Sequence, residues 1–168
     1  HESRAQQHDV YEAWISQRVV PFVRDDSPGG ADLLATGCSL GGFHALHFAL
    51  RRADLFPTAI CVSGAYDPTL WNTWGHAGFA AYVHNPMAYV PDLHGPHLDW
   101  LRSRLHLVLT VGRGPFEQET TCLPTTREIA GHLQAKGIWC ELDEWGDDAS
   151  HDWPWWQRQT AHHLQRFC

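Results

Sequence analysis

No run of apolar residues in this chain is long enough to span a bilayer, which argues against a membrane-spanning protein. No cluster of Lys and Arg is present either: the formal net charge is -7 and the acidic residues are dispersed, so nucleic acid and anionic membrane are not expected as partners. The five cysteines, Cys38, Cys61, Cys122, Cys140 and Cys168, are odd in number and form no C-x-x-C pair. Free thiols in a reducing, cytoplasmic setting are therefore expected, with one disulfide as the alternative. The opening H-E-S-R-A-Q-Q-H is not a signal peptide, although the mature form of a secreted protein would look the same. With no internal repeat and no linker, 168 residues of 43% hydrophobic content read as one globular domain large enough to bury a proper core.

Tryptophan, by contrast, is abundant. The nine indoles serve core and helix packing, or line an acyl or ring pocket. The most informative stretch is T-G-C-S-L-G-G-F-H, Thr36 to His44, which matches the G-x-S-x-G nucleophile elbow. In that motif a buried strand turns sharply into a helix and presents a serine hydroxyl, here Ser39, above the sheet. So tight a turn brings two backbones together, so Gly37 and Gly41 are expected where a Cβ would collide, and Gly42 relieves the next contact. A glycine-rich βα turn that holds a phosphate, or nothing, is the competing reading.

The surroundings favour the elbow. Residues 31–36 read as a short buried strand, and Leu40 to Ala53 as a helix with Phe43, Leu46, His47 and Leu50 on one face. Upstream, Ser3 to Val23 reads as a helix in which Val10, Trp14, Ile15, Val19 and Phe22 recur at helical spacing, ended or bent by Pro21. Residues 25–30 form a turn. Thr58 to Ser63 is the next strand, so the connection is a right-handed βαβ crossover between parallel strands. Asp67 to Arg104, rich in Trp, His, Gly and Pro, reads as an irregular insertion with short helical pieces, either a lid or pocket wall or a packed excursion. Alternation then resumes with a strand at Leu105 to Val111, a helix at Pro124 to Lys136 closed by Gly137, and a more polar edge strand at Ile138 to Trp145. A last helix, capped by Asp152 or a neighbour and with Pro154 in its first turn, runs to about Phe167.

In a parallel sheet, groups that must meet Ser39 have to leave the same carboxyl edge. The loop after the third strand offers Glu117 and Glu119, the loop after the fourth offers His151, and Asp67 after the second strand is a further candidate acid. The order serine, acid, histidine is that of an α/β-hydrolase. His151 would take the proton of Ser39 as general base while a buried carboxylate holds the imidazole tautomer.

At this point the chain resembles the Putative esterase branch of the α/β-hydrolases, which includes esterase D, enterobactin esterases and mycolyltransferases. The likeness is carried by G-C-S-L-G-G-F-H-A, R-R-A-D-L-F-P, C-V-S-G-A-Y-D, N-P-M-A-Y, G-R-G-P-F-E and S-H-D-W-P-W-W, and covers nearly the whole chain. It implies a three-layer α/β sandwich with a mainly parallel sheet, Ser39 as nucleophile, Glu117 as acid, His151 as base, the Leu40 backbone N–H as oxyanion donor, and no cofactor. The expected reaction is hydrolysis of a small-molecule carboxylic ester; acyl transfer with the same triad, or a non-catalytic binding or assembly subunit, are the alternatives. One departure matters: the family fold has several strands before the elbow, and a loop there carries the second oxyanion donor. Loss of such a donor costs about a hundredfold to a thousandfold in rate. An open first strand is also a pairing liability. A fragment or reduced form, completed by an upstream segment, a second chain or self-association, is therefore expected.

Other residues are read more plainly. His44 with His47, and His94 with His97, have ligand-like spacing, but packing, caps and surface roles are expected, and no metal. Cys38 is expected in the core of the elbow strand, pointing away from Ser39. Trp71 and Trp153 are candidate pocket residues, while Trp153, Trp155 and Trp156 serve equally to dock the last helix.

Overall fold

Short apolar runs alternate with helices from Leu34 onward, and in the computed structural model, which describes residues 4–27, 32–71, 74 and 78–167, each run pairs with the next. Strands β1 (Leu34–Cys38), β2 (Thr58–Val62), β3 (His106–Val111) and β4 (Cys140–Glu144) form one sheet in that order, parallel throughout. Cys38, Val62, Thr110 and Asp143 stand in one row across its carboxyl end. Three of the four connections that leave this row carry the chemistry described below.

Alternation along the strands divides the core into two layers. Cys61, Leu107 and Leu109 face α3 (Leu40–Arg51) and α7 (Cys122–Ala135), packing with Leu46, Leu50, Ile129 and Leu133. The intervening Ile60, Val62 and Val108 face the opposite way, toward Trp156 and Leu164 of α8 (Trp153–Leu164). Helices thus cover both faces, which makes the architecture a three-layer α/β sandwich with a parallel sheet. The polar strand β4 is half-buried along its length and forms one edge. Among the described residues β1 forms the other, with Thr36 exposed.

Several boundaries differ from those read in the sequence. The first strand lies at 34–38 rather than 31–36, because its register with Thr58–Val62 carries pairing up to the residue before Ser39. Residue 31 is outside the described residues. Helix α3 stops at Arg51 and α8 at Leu164. Pro21 does not end the first helix: α1 (Arg4–Trp14) passes through a π-helical turn at Ile15–Val19 into α2 (Val20–Asp26). The Val20 N–H bonds back to the Ile15 carbonyl, and this wider turn accommodates the proline ring that an unbroken α-helix would meet. The expected apolar stripe is not the buried one. Val10, Trp14 and Phe22 are exposed, whereas Ala5, His8 and Val20 are buried, because the face turned to α3 carries the small and histidine side chains. The insertion contains the short helices α4 (Phe79–Val83) and α5 (Pro86–Tyr89) and a regular ten-residue helix, α6 (Gly95–Arg104), which buries Leu98 and Leu101.

Candidate active site

Ser39 lies between β1 and α3 with φ 56° and ψ -120°, a backbone conformation that side chains with a Cβ rarely adopt. Its N–H bonds to the Val62 carbonyl at 2.9 Å, which ties the elbow to β2. A Cβ on Gly37 would come within 2.5 Å of the Gly41 backbone, so this glycine is required by the turn. Gly42 similarly faces the Val62 carbonyl at 2.8 Å. Gly41 does not behave as expected: a Cβ there would meet nothing within 4 Å, because it faces the open side of β1.

The loop after β3 brings Glu117 into the interior, and the loop after β4 lays His151 between it and Ser39. Ser39 Oγ lies 3.1 Å from His151 Nε2, and His151 Nδ1 lies 3.1 Å from Glu117 Oε2. The geometry fits a hydroxyl that donates to Nε2 and an Nδ1–H that donates to the carboxylate. Glu117 is fully buried, and its second oxygen accepts the Ser63 hydroxyl at 2.6 Å. The two loops are held together by close backbone approach: the His151 N–H bonds to the Pro115 carbonyl at 3.1 Å, and a Cβ on Gly112 would overlap the Ala149 carbonyl.

Electrostatics at His151 are set by opposing effects. Burial lowers its pKa, but hydrogen bonding and charge from Cys122 and Glu117 outweigh it and raise the value to about 9. Trp156 stands edge-on to the same ring at 4.8 Å. Glu117, Cys122 and His151 hold their ligating atoms within 4.8 Å of one another, although Glu117 and His151 are already committed to each other.

The remaining candidates separate by position. Glu119 is exposed, and Asp67 accepts from the Thr69 N–H and hydroxyl at the start of a 3-10 turn, so neither lies in the Ser39–His151–Glu117 chain. Trp71 is half-buried against Phe43 and Trp74 and lines a cavity of about 360 Å³ with Leu40, His44 and Tyr11. Trp153 is 67% exposed and lines a different groove, beside Trp156 and Thr36–Cys38. Cys38 packs on the α8 side of the sheet. Cys38, Cys61, Cys122 and Cys140 are free thiols, and Cys168 lies outside the described residues. No described helix is long and apolar enough to cross a membrane.

Ser63 and Cys122 were not identified from the sequence as parts of this site. A serine ending a strand at the same rim as Ser39 was the available signal for the first; nothing local marked the second. Of the paired histidines, His47 meets the Glu12 carboxylate of α1 and His84, which itself meets Asp9, while His44 meets His8. Burial and the neighbouring rings lower His8 to about 2, and burial and His47 lower His44 to about 4, so both are neutral near pH 7.

The Putative esterase family model matches residues 1–167. The chain belongs to the Putative esterase family. No curated protein sequence matches it. Among solved structures, this chain is similar to a ferulic acid esterase (TM-score 0.70, 18% identity, 92% of this chain and 59% of that one). It is also similar to the S-formylglutathione hydrolase FrmB of Staphylococcus aureus (TM-score 0.71, 16% identity, 93% and 63%). A third similar structure is FphF, a fluorophosphonate-binding serine hydrolase of Staphylococcus aureus (TM-score 0.68, 17% identity, 93% and 62%). Each likeness is one of fold, and the chain spans less than two thirds of the length of each of these structures.

Proposed function

We propose that the chain hydrolyses carboxylic esters through an acyl-enzyme on Ser39. The observation that carries this reading is the continuous chain Ser39–His151–Glu117, with both contacts at 3.1 Å. Neutral His151 accepts the serine proton as Oγ attacks the ester carbonyl. The resulting imidazolium faces a buried carboxylate that favours the charge, then returns the proton to the departing alcohol. Water activated at the same nitrogen hydrolyses the acyl-enzyme.

The Leu40 N–H opens α3, where the first N–H groups have no intrahelical acceptor, so it is suited to an alkoxide forming beside Ser39. A second donor would come from a segment that pairs with the open edge of β1. The cavity beside Leu40, walled by Trp71 and Tyr11, is suited to an apolar substituent of the ester. Trp153 lines a separate groove and packs on Trp156 beside His151, which suits it to a flanking role.

Covalent labelling with a fluorophosphonate tests the reading. Labelling of the wild type and its loss in Ser39→Ala are expected, with turnover falling by roughly the millionfold seen when a triad nucleophile is removed. A folded wild-type protein that is completed at the β1 edge and still neither labels nor cleaves an ester would overturn it.

A further inference from the structure

Beneath the first turns of α3, side chains from three helices meet in a cluster that the proposed ester chemistry does not use. His8 and Glu12 come from α1, His47 from α3, and His84 from the carboxyl end of α4. His8 is 6% exposed and His47 and His84 are fully buried, and the three bring one ring nitrogen each within 4.8 Å of the others. Glu12 Oε2 lies 3.6 Å from His47 Nε2 and 3.7 Å from His84 Nδ1, and these two nitrogens are 3.2 Å apart.

The two carboxylate distances are too long for good hydrogen bonds. They are instead close to the spacing of atoms that share one ion: bonds near 2.0–2.2 Å in a tetrahedron separate its ligands by about 3.3–3.5 Å. Outer partners orient two of the three histidines, whereas His47 Nδ1 is buried without one. His84 Nε2 lies 2.6 Å from Asp9 Oδ1, so its proton sits on that side and the lone pair of Nδ1 points toward Glu12 and His47. His8 Nε2 is 3.0 Å from His44 Nδ1, which leaves His8 Nδ1 buried without a partner. Arg51 Nε is 3.5 Å from Glu12 Oε2, so a cation already lies near the carboxylate, and without an ion His47 Nε2 and His84 Nδ1 share one hydrogen bond at 3.2 Å while His8 Nδ1 has no partner.

We propose that His8, Glu12, His47 and His84 form a closed structural site for a divalent transition-metal ion of the zinc type, with Asp9 as the hydrogen-bond partner that orients His84. The ion would join α1 and α4 to the helix that begins directly after Ser39. None of these ligands belongs to the Ser39–His151–Glu117 chain, although His8 also lines the cavity beside Leu40, so metal uptake is read separately from ester turnover.

The test is a Co²⁺ titration of the purified, chelator-treated protein, followed by visible spectroscopy and thermal melting. One equivalent with the intense d–d bands of tetrahedral cobalt, displacement by Zn²⁺ and a raised Tm are expected. Asp9 is exposed, so Asp9→Asn leaves the fold intact and should weaken binding by about 10–100-fold. Glu12→Gln should weaken it at least as much. Failure of the wild type to take up one equivalent, or unchanged affinity in both variants, overturns the assignment. A thiolate charge-transfer band that survives Glu12→Gln would place the ion at Cys122 and His151 instead, and overturns it equally.

Discussion

Ser63→Ala isolates the support beneath the acid. The Glu117 carboxylate is fully buried, with Ser63 Oγ on Oε1 at 2.6 Å and His151 on Oε2 at 3.1 Å. Alanine removes the first donor and leaves a charged oxygen in the interior without a replacement. A hydrogen bond to a charged group contributes about 1.5–3 kcal/mol, and a chain of this size loses roughly 2–4 °C of Tm per kcal/mol. The expected fall is therefore about 3–12 °C, read by circular dichroism on a reversible melt. Ser63 has φ 46°, but alanine keeps the Cβ, so backbone strain is the same in both proteins and cancels. His151 retains its contact to Oε2, so kcat should fall by less than the roughly hundredfold that follows an ångström-scale displacement. A Tm within about 1 °C of wild type would refute the reasoning, because it would mean that Oε1 finds another donor at no cost.

Four further outcomes follow from the geometry of the elbow and of the loops that meet it. Because His151 acts as a base only when neutral and its pKa is raised to about 9, kcat/KM should climb with pH through the range from 7 to 9. Cys122→Ala should shift this limb to lower pH by removing one of the groups that raise it; a wild-type limb at or below pH 6.5 would mean that burial dominates. Gly112→Ala forces a methyl group into the Ala149 carbonyl and should displace the loop that carries His151, lowering kcat by about a hundredfold or more. Gly41→Ala meets open space in a helix and should be neutral or stabilising by up to about 1 kcal/mol, as denaturant titration would show.

The parts of this protein that could be read from sequence are those whose constraint is local. Gly37 and Ser39 sit within one turn, and sterics alone fix what must surround them. The doubly buried run at 106–111 and the glycine at 137, with φ 66°, likewise announce a central strand and a helix end. Serine, acid and histidine could be assigned in order because a parallel sheet sends its loops to one rim. What sequence did not reveal depends on contacts between distant segments. Ser63 reaches Glu117 across 54 positions, and His84 reaches Asp9 across 75. The face of α1 that packs inward was misread because apolar periodicity counts Val10 and Trp14, whereas α3 opposite presents His44, which meets His8, and His47, which meets Glu12. Gly41 was misread for a related reason: the collision assumed for its Cβ needs a neighbour on a side of β1 where none is described.

That one-sided position of β1 bears on the reactive serine itself. An outermost strand opens more readily than a central one, and its amide protons exchange with solvent through smaller fluctuations. The hydroxyl at its end therefore stands on an outer rung of the ladder, tied inward through the Ser39 N–H to Val62 and through its own contact with His151. Deuterium uptake along Leu34–Cys38 would consequently report how steadily the nucleophile is held, and any molecule that adds a rung beside this strand should slow that uptake and sharpen the position of Ser39 together.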